Sequence, residues 1–188
     1  MASNNVGPAP KRLPLLRGIT GGSATRAAML YATNDPSNLL ALHMVQDGAR
    51  RMNIEIRPFG LTRADELTGA FAAMRTERIE MLVVAAGVLA DSNARAIADL
   101  AAQDRPPALY GAPEFVEAGG LMSYSTDFVV NFRAAASYVD KILKGTRPQE
   151  LPIEQSSRYL MVLNAKAARA LGLSVPALLQ MPIDRIVD

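Results

Sequence analysis

The chain has no cysteine, no tryptophan and one histidine, His43. Without cysteine there can be no disulfide, no thiolate metal site and no cysteine nucleophile. With a single histidine, any multi-histidine metal site or histidine-based triad would have to be built around His43. That residue falls in a helical stretch beside Gln46 and Asp47, with no second ligand one turn on, and reads as a surface histidine. No metal or cofactor is expected. Charge of one sign is also scarce: the net charge is +2 among 188 residues. No Lys/Arg block stands out, which argues against nucleic acid and against an anionic membrane surface as partners. No apolar run approaches the ~18 residues that would cross a bilayer. The first ten residues, MASNNVGPAP, have neither a basic segment nor an apolar core, so no signal peptide is visible. A genuine start at Met1 would therefore imply a cytoplasmic product.

What is present is the composition of a folded domain: 49% hydrophobic and 20% charged residues. Residues 1–22 read as a frayed segment, with partial helical spacing over Lys11–Ile19 that Pro14 and Gly18 weaken. Residues 23–124 alternate strands and helices. Strands are expected at Ala27–Ala32, Ile54–Phe59, Glu80–Ala86, Ala108–Tyr110 and Leu121–Tyr124. Glu80–Ala86 is a continuous apolar run, as in a parallel strand covered on both faces. Helices are expected over Leu39–Met52 with Leu40, Ala41, Met44 and Val45 inward, and from Thr62, where Asp65 or Glu66 would complete a capping box. A third is expected from Asp91 or Ser92 to Gln103. Residues 125–147 hold a strand end and one long helix capped by Asp127. Its apolar stripe is Phe128, Phe132, Ala135, Ala136, Val139, Ile142 and Leu143, with Gly145 as the stop. Residues 148–188 form a return strand near Arg158–Leu163, a helix capped by Asn164, and a last helical turn from Ser174. Alternation of this kind predicts an α/β, doubly wound parallel sheet.

Ligands of such sheets sit beyond the carboxyl ends of the strands. The polar residues gathered there are Asn34 and Asp35, then Tyr110 and Glu114, then Tyr124, Ser125, Thr126 and Asp127. Asn34 and Asp35 are read in two ways: as ligand-holding groups beside a helix start, or as simple helix caps. Tyr110 and Tyr124 end successive strands and could either form an aromatic wall or fill the rim of the sheet. Gly18–Ser23 is glycine-rich, but no strand precedes it and no Lys-Ser/Thr follows, so it is a turn. Asp91, Glu114, Glu117 and Asp127 sit where acids favour helix starts.

Several ordered motifs carry a family resemblance: Pro107-Ala108-Leu109-Tyr110-Gly111, Glu114 to Tyr124, Ala136 to Gly145, Pro148 to Gln155, and Asn164 to Leu173. Read in sequence, they resemble the ABC-transporter substrate-binding proteins of the tryptophan/tyrosine type, over about Lys11 to Leu179. The resemblance implies one lobe of a type I periplasmic-binding-protein fold plus a crossover helix. It also implies a periplasmic location, a permease partner, binding rather than catalysis, and a small amino-acid-like ligand. On the reading of a solute-binding lobe, the candidate ligand contacts are Asn34, Asp35, Gly87, Tyr110, Gly111, Tyr124, Ser125 and Asp127. In that family a first lobe precedes the region matching Lys11 and covers the long helix. The helix 128–144 is therefore expected either to fold back on its own sheet or to pack on a second copy as a homodimer. The rival reading is a cytoplasmic ligand-sensing or dimerisation module on the same lobe. A small enzyme is a third.

Overall fold

The computed structural model describes residues 7–152, 158–173 and 183–188. In chain order the elements are α1 (Ala9–Ile19), β1 (Arg26–Ala32), α2 (Pro36–Arg51), β2 (Glu55–Leu61), a 3-10 turn (Ala64–Glu66), α3 (Leu67–Thr76) and β3 (Met81–Val84). They continue with α4 (Val88–Asp91), α5 (Ala94–Asp104), β4 (Ala108–Tyr110), α6 (Glu114–Glu117), β5 (Met122–Thr126) and α7 (Phe128–Leu143). A second 3-10 turn (Pro148–Glu150), β6 (Tyr159–Asn164), α8 (Ala165–Ala170) and β7 (Arg185–Val187) complete the chain.

The seven strands form one sheet in the order β2-β1-β3-β4-β5-β6-β7. Every neighbouring pair is parallel except β5 with β6, which is antiparallel. The α/β doubly wound expectation holds, with two reversed strands, β6 and β7, after the chain returns from α7. Alternation along the strands splits the apolar residues between two cores. Ala27, Met29, Met81 and Val83 meet α1 and α2 on one face, while Ala28, Leu30, Leu82 and Val84 meet α3 and α5 on the other.

Several local expectations are corrected. α1 begins at Ala9 and runs through Pro14. An interior proline costs a helix about 3 kcal/mol, but Ala9, Leu13, Leu16 and Ile19 are all buried against the sheet, and that packing outweighs it. The inward face of α2 is turned from the expected one: Asn38, Ala41, Leu42, Val45 and Ala49 are buried, whereas Leu40 is exposed. Asp91 ends its own short helix, and α5 starts instead from Asn93. β7 has no counterpart in the sequence reading. The last helical turn expected from Ser174 lies outside the described residues.

Other caps form as read. Glu66 accepts from the Thr62 amide at 2.7 Å and its hydroxyl at 2.8 Å. Asp127 accepts from the Val129 and Val130 amides at 3.1 and 3.3 Å, and Asn164 accepts from the Ala167 amide at 2.9 Å. His43 is exposed. The long helix α7 does not fold back on the sheet. None of its residues is buried, and Phe132 and Leu143 are 74% and 82% exposed.

Candidate functional site

The strand order reverses between β1 and β3: the chain moves from β1 outward to β2, then from β3 outward through β4 and β5. That reversal opens a crevice beyond the carboxyl ends of β1 and β3, where ligands of open α/β sheets bind. The residues that follow those two strands are Thr33, Asn34 and Asp35 on one side and Ala85, Ala86 and Gly87 on the other.

Asp35 is the N-cap of α2. Its Oδ1 accepts from the Ser37 amide at 2.8 Å and hydroxyl at 2.7 Å, and its Oδ2 accepts from Asn38 Nδ2 at 3.1 Å. Capping and site placement are therefore properties of one side chain. Asn38 ties the two lips of the crevice together. Its Oδ1 accepts from the Ala32 amide at 3.0 Å, and its Nδ2 donates to the Ala86 carbonyl at 2.8 Å. A Cβ on Gly87 would lie 3.1 Å from Asp35 Oδ2, and one on Gly111 would lie 2.4 Å from the Ala86 nitrogen. Both glycines are thus places where backbones must approach. Asn34 is exposed and makes no side-chain hydrogen bond among the described residues.

Two charged residues outside the expected set complete this edge. Arg12, on α1, is 1% exposed. Its Nε donates to the Tyr124 carbonyl at 3.1 Å, while Nη2 has no hydrogen-bond partner among the described residues. Burial lowers its pKa to about 10, against the opposing pull of Asp91. Asp91 turns its carboxylate in towards Gly87, accepting from that amide at 3.3 Å. Asp91 is exposed as a residue, but partial desolvation of its carboxyl where it turns in pushes its pKa up to about 6, and nearby Glu114 adds to the rise, while the Gly87 amide and Arg12 oppose it.

The sign follows from the higher pKa in the fold than in the unfolded chain. Asp91 favours folding most below the ordinary carboxylate range and loses that contribution as pH rises to about 6. The Asp91→Asn variant is expected to remove this component, giving a flatter stability profile between pH 4 and 6 by urea unfolding. A profile unchanged from the parent would refute the assignment.

The expected site residues are not all brought together. Asp35, Gly87 and Gly111 meet around Ala86, with Asn34 alongside in sequence. The aromatic wall is not formed. Tyr110 pairs in register with Ser123, so Tyr124 points to the opposite face from Tyr110. Tyr110 is buried, stacked on Phe115 with centroids 4.8 Å apart, whereas Tyr124 is half-buried beside Tyr159 at 5.5 Å. Ser125 is buried and its hydroxyl has no partner among the described residues. Asp127 caps α7 and pairs with Arg158 at 3.3 Å, at the foot of that helix.

Sequence reasoning missed Arg12 and Asn38. Arg12 lies at helical spacing between Ala9 and Leu16, and that periodicity was the one available signal for its burial. Asn38 falls three residues after the α2 cap, where an amide can reach back.

Comparison with known proteins bears on the family and the fold. The family described as ABC transporter substrate binding protein matches residues 3–184. No curated protein matches. Among solved structures, a domain in complex with L-Trp from Streptococcus pneumonia superposes with a TM-score of 0.85 at 20% identity, over 96% of this chain and 62% of that one. A conserved domain protein from Vibrio cholerae gives 0.84 at 20% identity, over 95% and 60%. A ligand-free, open substrate binding protein with adhesive properties from Clostridium difficile gives 0.69 at 19%, over 94% and 59%. The chain therefore spans about three fifths of the length of the structures it resembles.

Proposed function

The chain belongs to the ABC transporter substrate-binding protein family, and from that premise we propose that it forms one lobe of a solute receptor whose ligand is a small amino-acid-like molecule. The observation that carries this reading is the strand-order reversal, bordered by Asn34, Asp35 and Gly87, with Gly111 packed behind Ala86. Asp35, Asp91 and Glu114 give this edge an acidic character suited to an ammonium group, and Arg12 balances it from beneath. Asn34 and the exposed backbone of the crevice supply neutral hydrogen bonds. Tyr124, Ser125 and Asp127 lie where β5 passes into α7, and act on the ligand through the position of that segment. The relative solved with L-Trp supports an amino-acid ligand.

The mechanism is capture and release, not chemistry; Asp35 is engaged as a helix cap and Asp91 as an acceptor for the Gly87 amide. In a two-lobed receptor the second lobe would close over the crevice and present the complex to a permease outside the cytoplasmic membrane. The unburied apolar side of α7 supports a second part of the reading: in this chain alone, α7 pairs with α7 of a second copy. The same unburied face also suits a ligand-sensing module that dimerises in the cytoplasm.

A thermal-shift screen against L-amino acids and organic acids at millimolar concentration tests the binding claim. Ligands that bind the fold and not the unfolded chain raise the melting temperature. An amino acid is expected to do so, and Asp35→Ala to abolish the rise. No rise with any compound would count against the crevice as a working site.

A further inference from the structure

A cavity of about 460 Å³ lies at the other end of the sheet, between α5, the α6–β5 loop and α8. It opens beside Pro106 and Leu121, which precede β4 and β5, at the end of the sheet opposite Gly87. Its volume falls within the ~300–1,000 Å³ typical of small-molecule pockets. Its apolar walls come from Ala98, Ala102, Leu121 and Ala167, and the ring of Tyr110 closes it from within.

Tyr110 is the informative residue. It is 1% exposed. Its ring edge rests on Gly120, where a Cβ would sit 2.5 Å from the ring. Its hydroxyl makes no hydrogen bond among the described residues and is not one of the sealed-off polar atoms, so it is free to meet a ligand in the cavity. Burial also holds the phenol pKa above its ordinary value, so the hydroxyl keeps its proton and can donate.

The cavity lining carries three acids and three bases, but they are not paired with one another throughout. Each lining acid is already paired: Asp99 with Arg95 at 3.0 Å, Glu117 with Arg185 at 2.8 Å, and Asp188 with Arg169 at 2.7 Å. Two lining cations are not. Lys166 has no ion pair among the described residues, and Arg105 donates only to the Ala170 carbonyl, at 2.6 Å. Arg105 also holds a left-handed backbone, φ 65°, as the C-cap of α5. A glycine would adopt that conformation at less cost, but only a long donor can span from α5 to α8.

We propose that this cavity is a second ligand site, binding a small organic anion with an apolar body. The body lies against Ala98, Ala102 and the Tyr110 ring, the carboxylate or phosphate faces Arg105 and Lys166, and the Tyr110 hydroxyl donates to a polar atom of the ligand. This site is independent of the crevice and does not require it to be occupied.

The test is a ¹H–¹⁵N NMR titration of the full chain with benzoate, phenyl phosphate and inorganic phosphate. Benzoate or phenyl phosphate is expected to move the Gly119, Gly120 and Ala167 amides and leave Asn34 and Gly87 in place. Inorganic phosphate should bind more weakly, because it has no apolar body. Tyr110→Phe should weaken binding by roughly 3- to 10-fold, the worth of one hydrogen bond. Lys166→Gln should weaken it further for phenyl phosphate than for benzoate. Ala102→Phe, on an exposed helix position, should block binding while the spectrum stays dispersed. The proposal is overturned if neither aromatic anion shifts the cavity amides, if inorganic phosphate binds as tightly, if the shifts fall at Asn34 and Gly87, or if Ala102→Phe binds as the parent does.

Discussion

Gly111→Ala is expected to destabilise the protein by about 3 kcal/mol, at the upper end of the cost of overpacking a core. The new methyl would stand 2.4 Å from the Ala86 nitrogen and 2.7 Å from its Cβ. The first of these is backbone, tied through Ala86 to Asn38 and hence to α2, so it has little freedom to move aside. Gly69→Ala supplies the control. Gly69 lies inside α3 with nothing within 4 Å of its would-be Cβ, and an alanine there should stabilise by roughly 0.5–1 kcal/mol. In a domain of this size each kcal/mol moves the melting temperature by about 2–4 °C. The two variants should therefore separate in opposite directions in a calorimeter. Equal melting temperatures would show that β3 and β4 do not approach as closely as described.

A larger change in behaviour is expected from α7. Phe128, Val129, Phe132, Val139, Ile142 and Leu143 are all exposed along it. Covering one such side chain is worth roughly 1.5–3 kcal/mol when complete. Association of two copies first has to overcome about 4–15 kcal/mol of lost translational and rotational freedom. A dimer through α7 should then be real but concentration-dependent. A second lobe on the same polypeptide escapes most of that loss, because its effective concentration is already high, and would displace the second copy. In light scattering the chain is expected to move from monomer to dimer as concentration rises. Phe132→Glu with Val139→Glu should hold it monomeric at every concentration with its melting temperature unchanged, since neither side chain is buried. A parent chain that stays strictly monomeric would refute self-association through this face.

The strands were legible where burial leaves its mark directly. Met81–Val84 and Ala108–Tyr110 are covered on both faces and read as unbroken apolar runs. Helix caps were legible where one side chain does the work, as at Asp127 and Asn164. α1 was under-read because Pro14 argues locally against a helix and the compensating sheet contacts are distant in sequence. The face of α2 was misjudged because Asn38, a polar residue, is turned inward to bridge β1 and β3. Polarity at that position signals a partner across the fold, not exposure.

The site was legible in its placement more than in its membership. Strand ends followed by Asn34-Asp35 and by Gly87 could be found by pattern, and the order of the strands then made them neighbours. Whether Tyr110 and Tyr124 share a face depends on the β4–β5 register, Tyr110 against Ser123, and no local signal encodes that pairing. Arg12 reaches β5 from a helix 112 residues earlier in the chain, a juxtaposition only the tertiary fold creates.

The most direct measurement is an isotope-edited NMR titration of the chain with L-amino acids, following the backbone amides of Asn34, Gly87 and Gly111. A receptor lobe that binds at the strand-order reversal should show saturable shifts at all three, lost in Asp35→Ala and weakened as pH falls through about 6, where Asp91 takes up its proton. Flat titrations at those amides, with shifts elsewhere or nowhere, would contradict it.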